Sequence, residues 1–138
     1  LEPVLNPYLN FNGNAAEAMR FYHSVLGGEL SMQTFGESKM AEKPEEEHLI
    51  VHATLKNDAL TFMASDTHPS RKTKFGDNVH MSITGSDGKE LTRVFNGLAK
   101  GGTVDMPLAK QFWGDTFGML TDKFGVHWMV NIPPQQPG

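Results

Sequence analysis

The chain has six histidines and no cysteine among its 138 residues, and this sets the chemistry open to it. Without thiols there is no disulfide and no thiolate nucleophile or ligand. Imidazole is then the group able to hold a borderline metal ion or move a proton near neutral pH. Two of the six histidines stand out. His80 lies in Val79-His80-Met81-Ser82-Ile83, and His127 opens the run His127-Trp128-Met129-Val130-Asn131. Residues two apart on a strand share a face, so His127 projects with Met129. If His80 approaches His127 across a cleft, the pair offers two imidazoles as ligands or as a general base. His52 reads as a hydrogen-bonded strand histidine. His23, His48 and His68 fall on a helix, at a loop end and in a linker, and read as exposed. The Glu45-Glu46-Glu47 run lies in a polar stretch from Gly36 to Glu47 that reads as a solvated connection rather than a cation site.

The elements that must position these residues occur twice. Asn14-Ala-Ala-Glu17, then Phe21-Tyr22 and Leu26-Gly27-Gly28, is matched by Asp87-Gly-Lys-Glu90, Val94-Phe95, Leu98 and Gly101-Gly102. Each copy has an N-cap residue with Glu three positions on, an apolar stripe at helical spacing and a glycine stop. The first stripe is Ala15, Ala18, Met19, Tyr22, Val25 and Leu26; the second is Leu91, Val94, Phe95 and Leu98. Asn14 and Asp87 stand 73 positions apart, about half the chain.

Alternation predicts strands over Val4–Asn12, with Pro7 marking an edge or bulged start, and over Glu29–Phe35, His48–Lys56 and Ala59–Ser65. Asn57-Asp58 is a hairpin turn. The second copy predicts strands over Asn78–Thr84, Thr103–Met106, Phe112–Thr121 and Val126–Ile132. Pro107–Gln111 is expected as a loop, Asp122–Gly125 as a tight turn and Pro133–Gly138 as a tail. The expected organisation is one domain: a first βαβββ unit over 1–66, a linker over 67–77 and a second unit over 78–138. One face of each sheet packs on its own helix. Pairing the two remaining faces would close a cleft, lined by the strands' polar residues.

A net charge of −4 gives no electrostatic reason to expect nucleic acid or an anionic membrane as partner. No apolar run reaches bilayer-spanning length and no leader pattern precedes the first strand, so the expected location is cytoplasmic.

The paired units resemble the vicinal oxygen chelate superfamily of glyoxalases, bleomycin resistance proteins and extradiol dioxygenases. Within it the chain resembles the PhnB-like branch. The residues that carry this are Pro7-Tyr-Leu-Asn-Phe-Asn-Gly-Asn14, Phe35-Gly-Glu37, His52-Ala53, Ser65-Asp66, Phe112-Trp113, Phe117-Gly118 and, most specifically, Thr121-Asp-Lys-Phe-Gly-Val-His-Trp-Met-Val-Asn131. The resemblance implies an α+β fold, two βαβββ repeats forming a curved mixed sheet around a cleft, and commonly a homodimer. Some members of the branch are labelled 3-demethylubiquinone methyltransferases. A methyl-donor nucleotide calls for a strand followed by a glycine-rich loop, and the chain has none; Asn12-Gly13-Asn14 reads as a helix-capping turn.

Metal-dependent relatives take one His or Gln and one Glu from each unit. Carried over, these positions are Asn6 or Tyr8, Phe62 or Met63, His80 and Met129. Only His80 keeps a good donor, so no tightly bound metal is expected; the alternative is a divalent ion such as zinc, nickel or manganese on a relocated His80–His127 pair. Strand parity nominates Tyr8, Asn10, Met63, His80, Ser82, His127 and Met129 as ligand-lining residues, with Phe112, Trp113 and Phe117 at the mouth. Aromatic and Met side chains bind flat or apolar small molecules by contact area and stacking. Two functions stay open: a small-molecule binder that needs no catalytic group, and a lyase, isomerase or dioxygenase-type enzyme using His80 and His127. A purely structural or interaction module is a third.

Overall fold

The computed structural model describes residues 3–134. Two compact units, Leu1–Lys74 and Phe75–Gly138, carry the same order of elements. The first has β1 (Tyr8–Phe11), α1 (Ala15–Leu26), β2 (Glu29–Thr34), β3 (Ile50–Lys56) and β4 (Thr61–Asp66). The second has β5 (Met81–Thr84), α2 (Gly88–Ala99), β6 (Thr103–Lys110), β7 (Thr116–Thr121) and β8 (His127–Ile132). Each builds a four-stranded sheet, ordered β1-β4-β3-β2 and β5-β8-β7-β6. The first and last strands of a unit run parallel and the other pairs antiparallel. This is the α+β, twice-βαβββ architecture that the repeat implies.

In unit one, α1 lays Ala15, Ala18, Met19, Tyr22 and Val25 against the sheet. On the sheet, Phe11, Ala53, Leu55, Phe62 and Ala64 are fully or almost fully buried. Tyr22 and Phe62 meet edge to face, ring centroids 5.8 Å apart. In unit two, α2 buries Leu91, Val94, Phe95 and Leu98, as its stripe predicts, beside buried Leu120, Trp128, Val130 and Ile132. Burial alternates along β4 and β8, so each sheet has a helix face and an opposite, more polar face.

The structure differs from expectation at several places. The Asn14 side chain makes no capping bond to α1. The buried carboxylate of Asp66 does this instead, its Oδ1 accepting from the N–H groups of Gly13 and Ala15 and its Oδ2 from that of Ile50. A carboxylate brought in from β4 takes two donors at the start of α1 and one at the start of β3, which one amide oxygen cannot. In α2 the expected cap holds: Asp87 Oδ1 accepts from the N–H of Glu90. β1 begins only after Pro7 and β5 only at Met81, which puts His80 at the entrance to its strand. β6 continues through the expected loop to Lys110. Its register shifts between Val104 and Met106 and again between Met106 and Ala109, and such irregularity tolerates Pro107, which has no N–H to give. Phe112 and Trp113 therefore lie in the turn before β7, not on a strand. Of the expected tail, residues 135–138 lie outside the described residues.

The ladders also fix which positions are equivalent in the two units. Tyr8 pairs with Met63 as Ser82 pairs with Met129. The turn before β4 closes through Asn57 N–H to Leu60 O, that before β8 through Asp122 N–H to Val126 O. Met63 and Met129 are thus counterparts, and so are Asn6 and His80.

Candidate functional site

The nominated residues that lie on strands fall on the helix-free faces. In unit one the register lines up Tyr8, Met63, Thr54 and Ser31 across the sheet. Asn10 follows Tyr8 on the same face and pairs with Ser65. The Tyr8 hydroxyl lies 3.4 Å from His52 Nδ1, and the rings tilt against each other at 5.9 Å. His52 thus has the polar partner expected of a strand histidine.

In unit two the corresponding row is Ser82, Met129, Met119 and Met106. Beside it runs His127, Thr121 and Thr103. On the far side of the methionine row, Asn131 pairs with Phe117 and Phe117 with Ala109. Half-buried His80 enters beside β8, its ring 5.4 Å from that of His127. The two imidazoles, expected to approach each other across a cleft, are instead neighbours beside the β5–β8 pair of the second unit.

His127 is held at both ring nitrogens. Nδ1 lies 2.8 Å from Thr121 Oγ1 and Nε2 lies 3.2 Å from the Gly76 carbonyl. The Thr121 hydroxyl donates to Asp105 Oδ2 at 2.7 Å. A carbonyl oxygen only accepts, so Nε2 carries a proton in this arrangement. The Thr121 hydroxyl has one proton for two neighbours. His127 is thus linked through Thr121 to a carboxylate.

Phe112 and Trp113 sit on the hairpin between β6 and β7, which closes through Gln111 N–H to Asp115 O. Phe112 is 96% exposed and Trp113 is 50% exposed. Their rings meet edge to face at 4.9 Å, and Trp113 reaches Phe117 at 6.2 Å. The aromatic trio is contiguous and continues onto the strand that carries Met119 and Thr121. Trp128, in contrast, is core: it is 1% exposed and its Nε1–H donates to Asp122 Oδ2. Sequence reasoning missed Thr121 and Asp105 as partners of His127, because the link depends on cross-strand register.

A family model described as 3-demethylubiquinone-9 3-methyltransferase matches residues 3–131. The chain belongs to this PhnB-like family. The crystal structure of protein PA1353 from Pseudomonas aeruginosa is 41% identical, covering 97% of this chain and 100% of that one, with a TM-score of 0.86. A PhnB protein structure from Bacillus cereus is 30% identical over 94% of this chain and 99% of that one, TM-score 0.79. A glyoxalase/bleomycin resistance protein from Albidiferax ferrireducens, 16% identical over 93% of this chain and 98% of that one, shares the fold at a TM-score of 0.60.

Proposed function

We propose that this PhnB-like chain binds a small, partly apolar molecule against the helix-free face of its second sheet, without a tightly bound metal at the superfamily's usual positions. The observation that supports this is the composition of that face: the Met106, Met119 and Met129 row, flanked by His127 and Thr121 on one side and by Phe117 on the other. Thioethers and aromatic rings supply adaptable contact area, and the imidazole–hydroxyl pair supplies direction. The Asn6 and His80 positions are equivalent, as are Met63 and Met129. An amide, an imidazole and two thioethers are a poor donor set for a divalent ion of the zinc, nickel or manganese kind. The residues do not fit that ion, and no chemistry is assigned to it. The methyltransferase wording of the family is not carried to this chain either, since neither strand-to-helix connection, Asn12-Gly13-Asn14 or Gly85-Ser86-Asp87-Gly88, has the G-x-G-x-x-G pattern of a nucleotide loop.

The test is native mass spectrometry of untagged protein purified from cell extract, with identification of any retained small molecule. Retention by the wild type and loss in the His127→Ala, Met129→Ala double variant is the expected result. Equal retention in both would sink the reading.

A second reading is an enzyme in which His127, relayed through Thr121 to Asp105, moves a proton beside His80. Turnover of the retained molecule, abolished by His127→Ala and indifferent to chelator, would select it. We further infer a cytoplasmic homodimer. The exposed edge strand β6, with Val104 and Met106 uncovered, and Phe112 beyond it suit self-association. No helix among the described residues is long and apolar enough to cross a membrane. Light scattering of Phe112→Ser against wild type tests the dimer.

A further inference from the structure

The loop between β2 and β3 is not a solvated connection throughout. Phe35 N–H to Leu49 O and Gly36 N–H to Glu47 O zip its ends together, and the short turn Pro44–Glu46 folds its middle back. Glu46 is thereby 5% exposed. Its Oε1 accepts from the N–H of Glu42, which sets the two carboxylates side by side. From the other direction comes His68, anchored because Thr67 N–H donates to Phe11 O and Arg71 N–H to His68 O.

The His68 Nε2 atom lies 3.7 Å from Glu42 Oε2 and 3.7 Å from Glu46 Oε1. That is too long for a hydrogen bond. Nε2 is closed to solvent, although about a third of the side chain is open, and it is the buried side-chain polar atom without a hydrogen-bond partner among the described residues. The three donor atoms all lie within 4.8 Å of one another. Ligands about 2.1 Å from a tetrahedral zinc ion stand about 3.4 Å apart, so the spacing that is wrong for hydrogen bonding is close to one edge of a coordination shell. His68 Nδ1 lies 2.7 Å from Ser70 Oγ. Nδ1 also accepts from the N–H of Ser70 at 3.2 Å; an ion at Nε2 would displace the ring proton to Nδ1, where Ser70 Oγ accepts it.

We propose that Glu42, Glu46 and His68 form a divalent transition-metal site, of zinc type, in the first unit. Two carboxylates and an imidazole match a borderline ion and cancel its charge. Glu42, with 74% of its side chain exposed, leaves the fourth position to water. The ion would tie the β2–β3 loop to the segment after β4. The site shares no residue with the His80 and His127 face.

The experiment is calorimetric titration of zinc chloride into chelator-stripped, untagged protein. One ion per chain is expected, weakened at least about tenfold by His68→Ala and by Glu46→Gln, and unchanged by His80→Ala. Circular dichroism of each variant checks its fold; Glu46→Gln keeps the acceptor for Glu42 N–H. Zinc should also raise the melting temperature of wild type but not of His68→Ala. No zinc heat, or equal affinity in folded His68→Ala and Glu46→Gln, overturns the proposal. So does zinc binding that is lost in His80→Ala alone.

Discussion

Asp66 Oδ1 accepts the N–H of Ala15 at 3.0 Å, across 51 positions of chain. The same carboxylate also takes Gly13 and Ile50, so one side chain at the end of β4 joins the starts of α1 and β3. Removing it strands buried donors, each costing about 1–3 kcal/mol. Asp66→Ala should lower the unfolding free energy by about 2–4 kcal/mol. Asp66→Asn, which keeps one acceptor oxygen, should lose less. Asn14→Ala, by contrast, should cost well under 1 kcal/mol, because its side chain caps nothing. Urea denaturation of the three variants checks the order; a larger loss in Asn14→Ala than in Asp66→Ala would refute it.

The glycine pair after α1 does two different jobs. Gly27 has φ +72°, and a Cβ added there meets nothing within 4 Å. Gly28 has φ +90°, and its Cβ would strike the Lys56 carbonyl of the neighbouring strand end. Gly27→Ala should cost about 1–2 kcal/mol of left-handed strain. Gly28→Ala adds a backbone clash and should cost more, about 3 kcal/mol in all. Thermal melts of the two variants decide it, with equal loss as the contrary result.

How much of this was legible in the chain follows from what carries each feature. The Gly-Gly stops, the stripes from Ala15 to Val25 and from Leu91 to Leu98, and the strand faces are local periodicities, so the fold could be read before any contact was known. The nearness of His80 to His127 was expected across a cleft, but it comes from the β5–β8 pairing inside one unit, which the parity argument did not use. What could not be read depends on partners distant in sequence. Asp66 displaces Asn14 as a cap because β4 ends beside α1. Thr121 and Asp105 meet His127 only through β6–β7–β8 register. His68 and Glu46 looked exposed because each sits in a polar stretch, and only the folded-back loop buries Glu46 and closes His68 Nε2 off from solvent.

Glu37 and Thr34 close a reciprocal pair at the end of β2. The N–H of Thr34 donates to Glu37 Oε1, and the N–H of Glu37 donates to Thr34 Oγ1. The backbone N–H of Thr34, then its hydroxyl, hold the Glu37 carboxyl below the usual carboxylate range. The Arg93 guanidinium does the same to Glu90 on α2. A lowered folded value means the folded chain binds fewer protons than the unfolded one in the acid range. The stabilisation is therefore present above the ordinary carboxyl range, and is lost as pH falls through the lowered folded values. Glu37→Gln and Glu90→Gln should melt below wild type at pH 7, with the gap closing in strong acid. A gap that widens on acidification would contradict the assignment.

Trp113 and Trp128 report on opposite environments, one at the hairpin tip beside Phe117 and one in the core. Acrylamide should quench Trp113 and leave Trp128 almost untouched, so Trp113→Phe should yield blue-shifted emission resistant to the quencher. The same pair can sense occupancy of the helix-free face. An apolar dye such as anilinonaphthalene sulfonate, seated between Phe117 and the Met106–Met119–Met129 row, would lie within transfer distance of Trp113. Its emission should rise with wild type and fall several-fold with Phe117→Ala or Met129→Ala, while Phe112→Ser, at the outer tip, leaves it largely intact. If Phe112→Ser alone abolishes the signal, the dye sits on the exposed tip, and the strand face is not where apolar molecules bind.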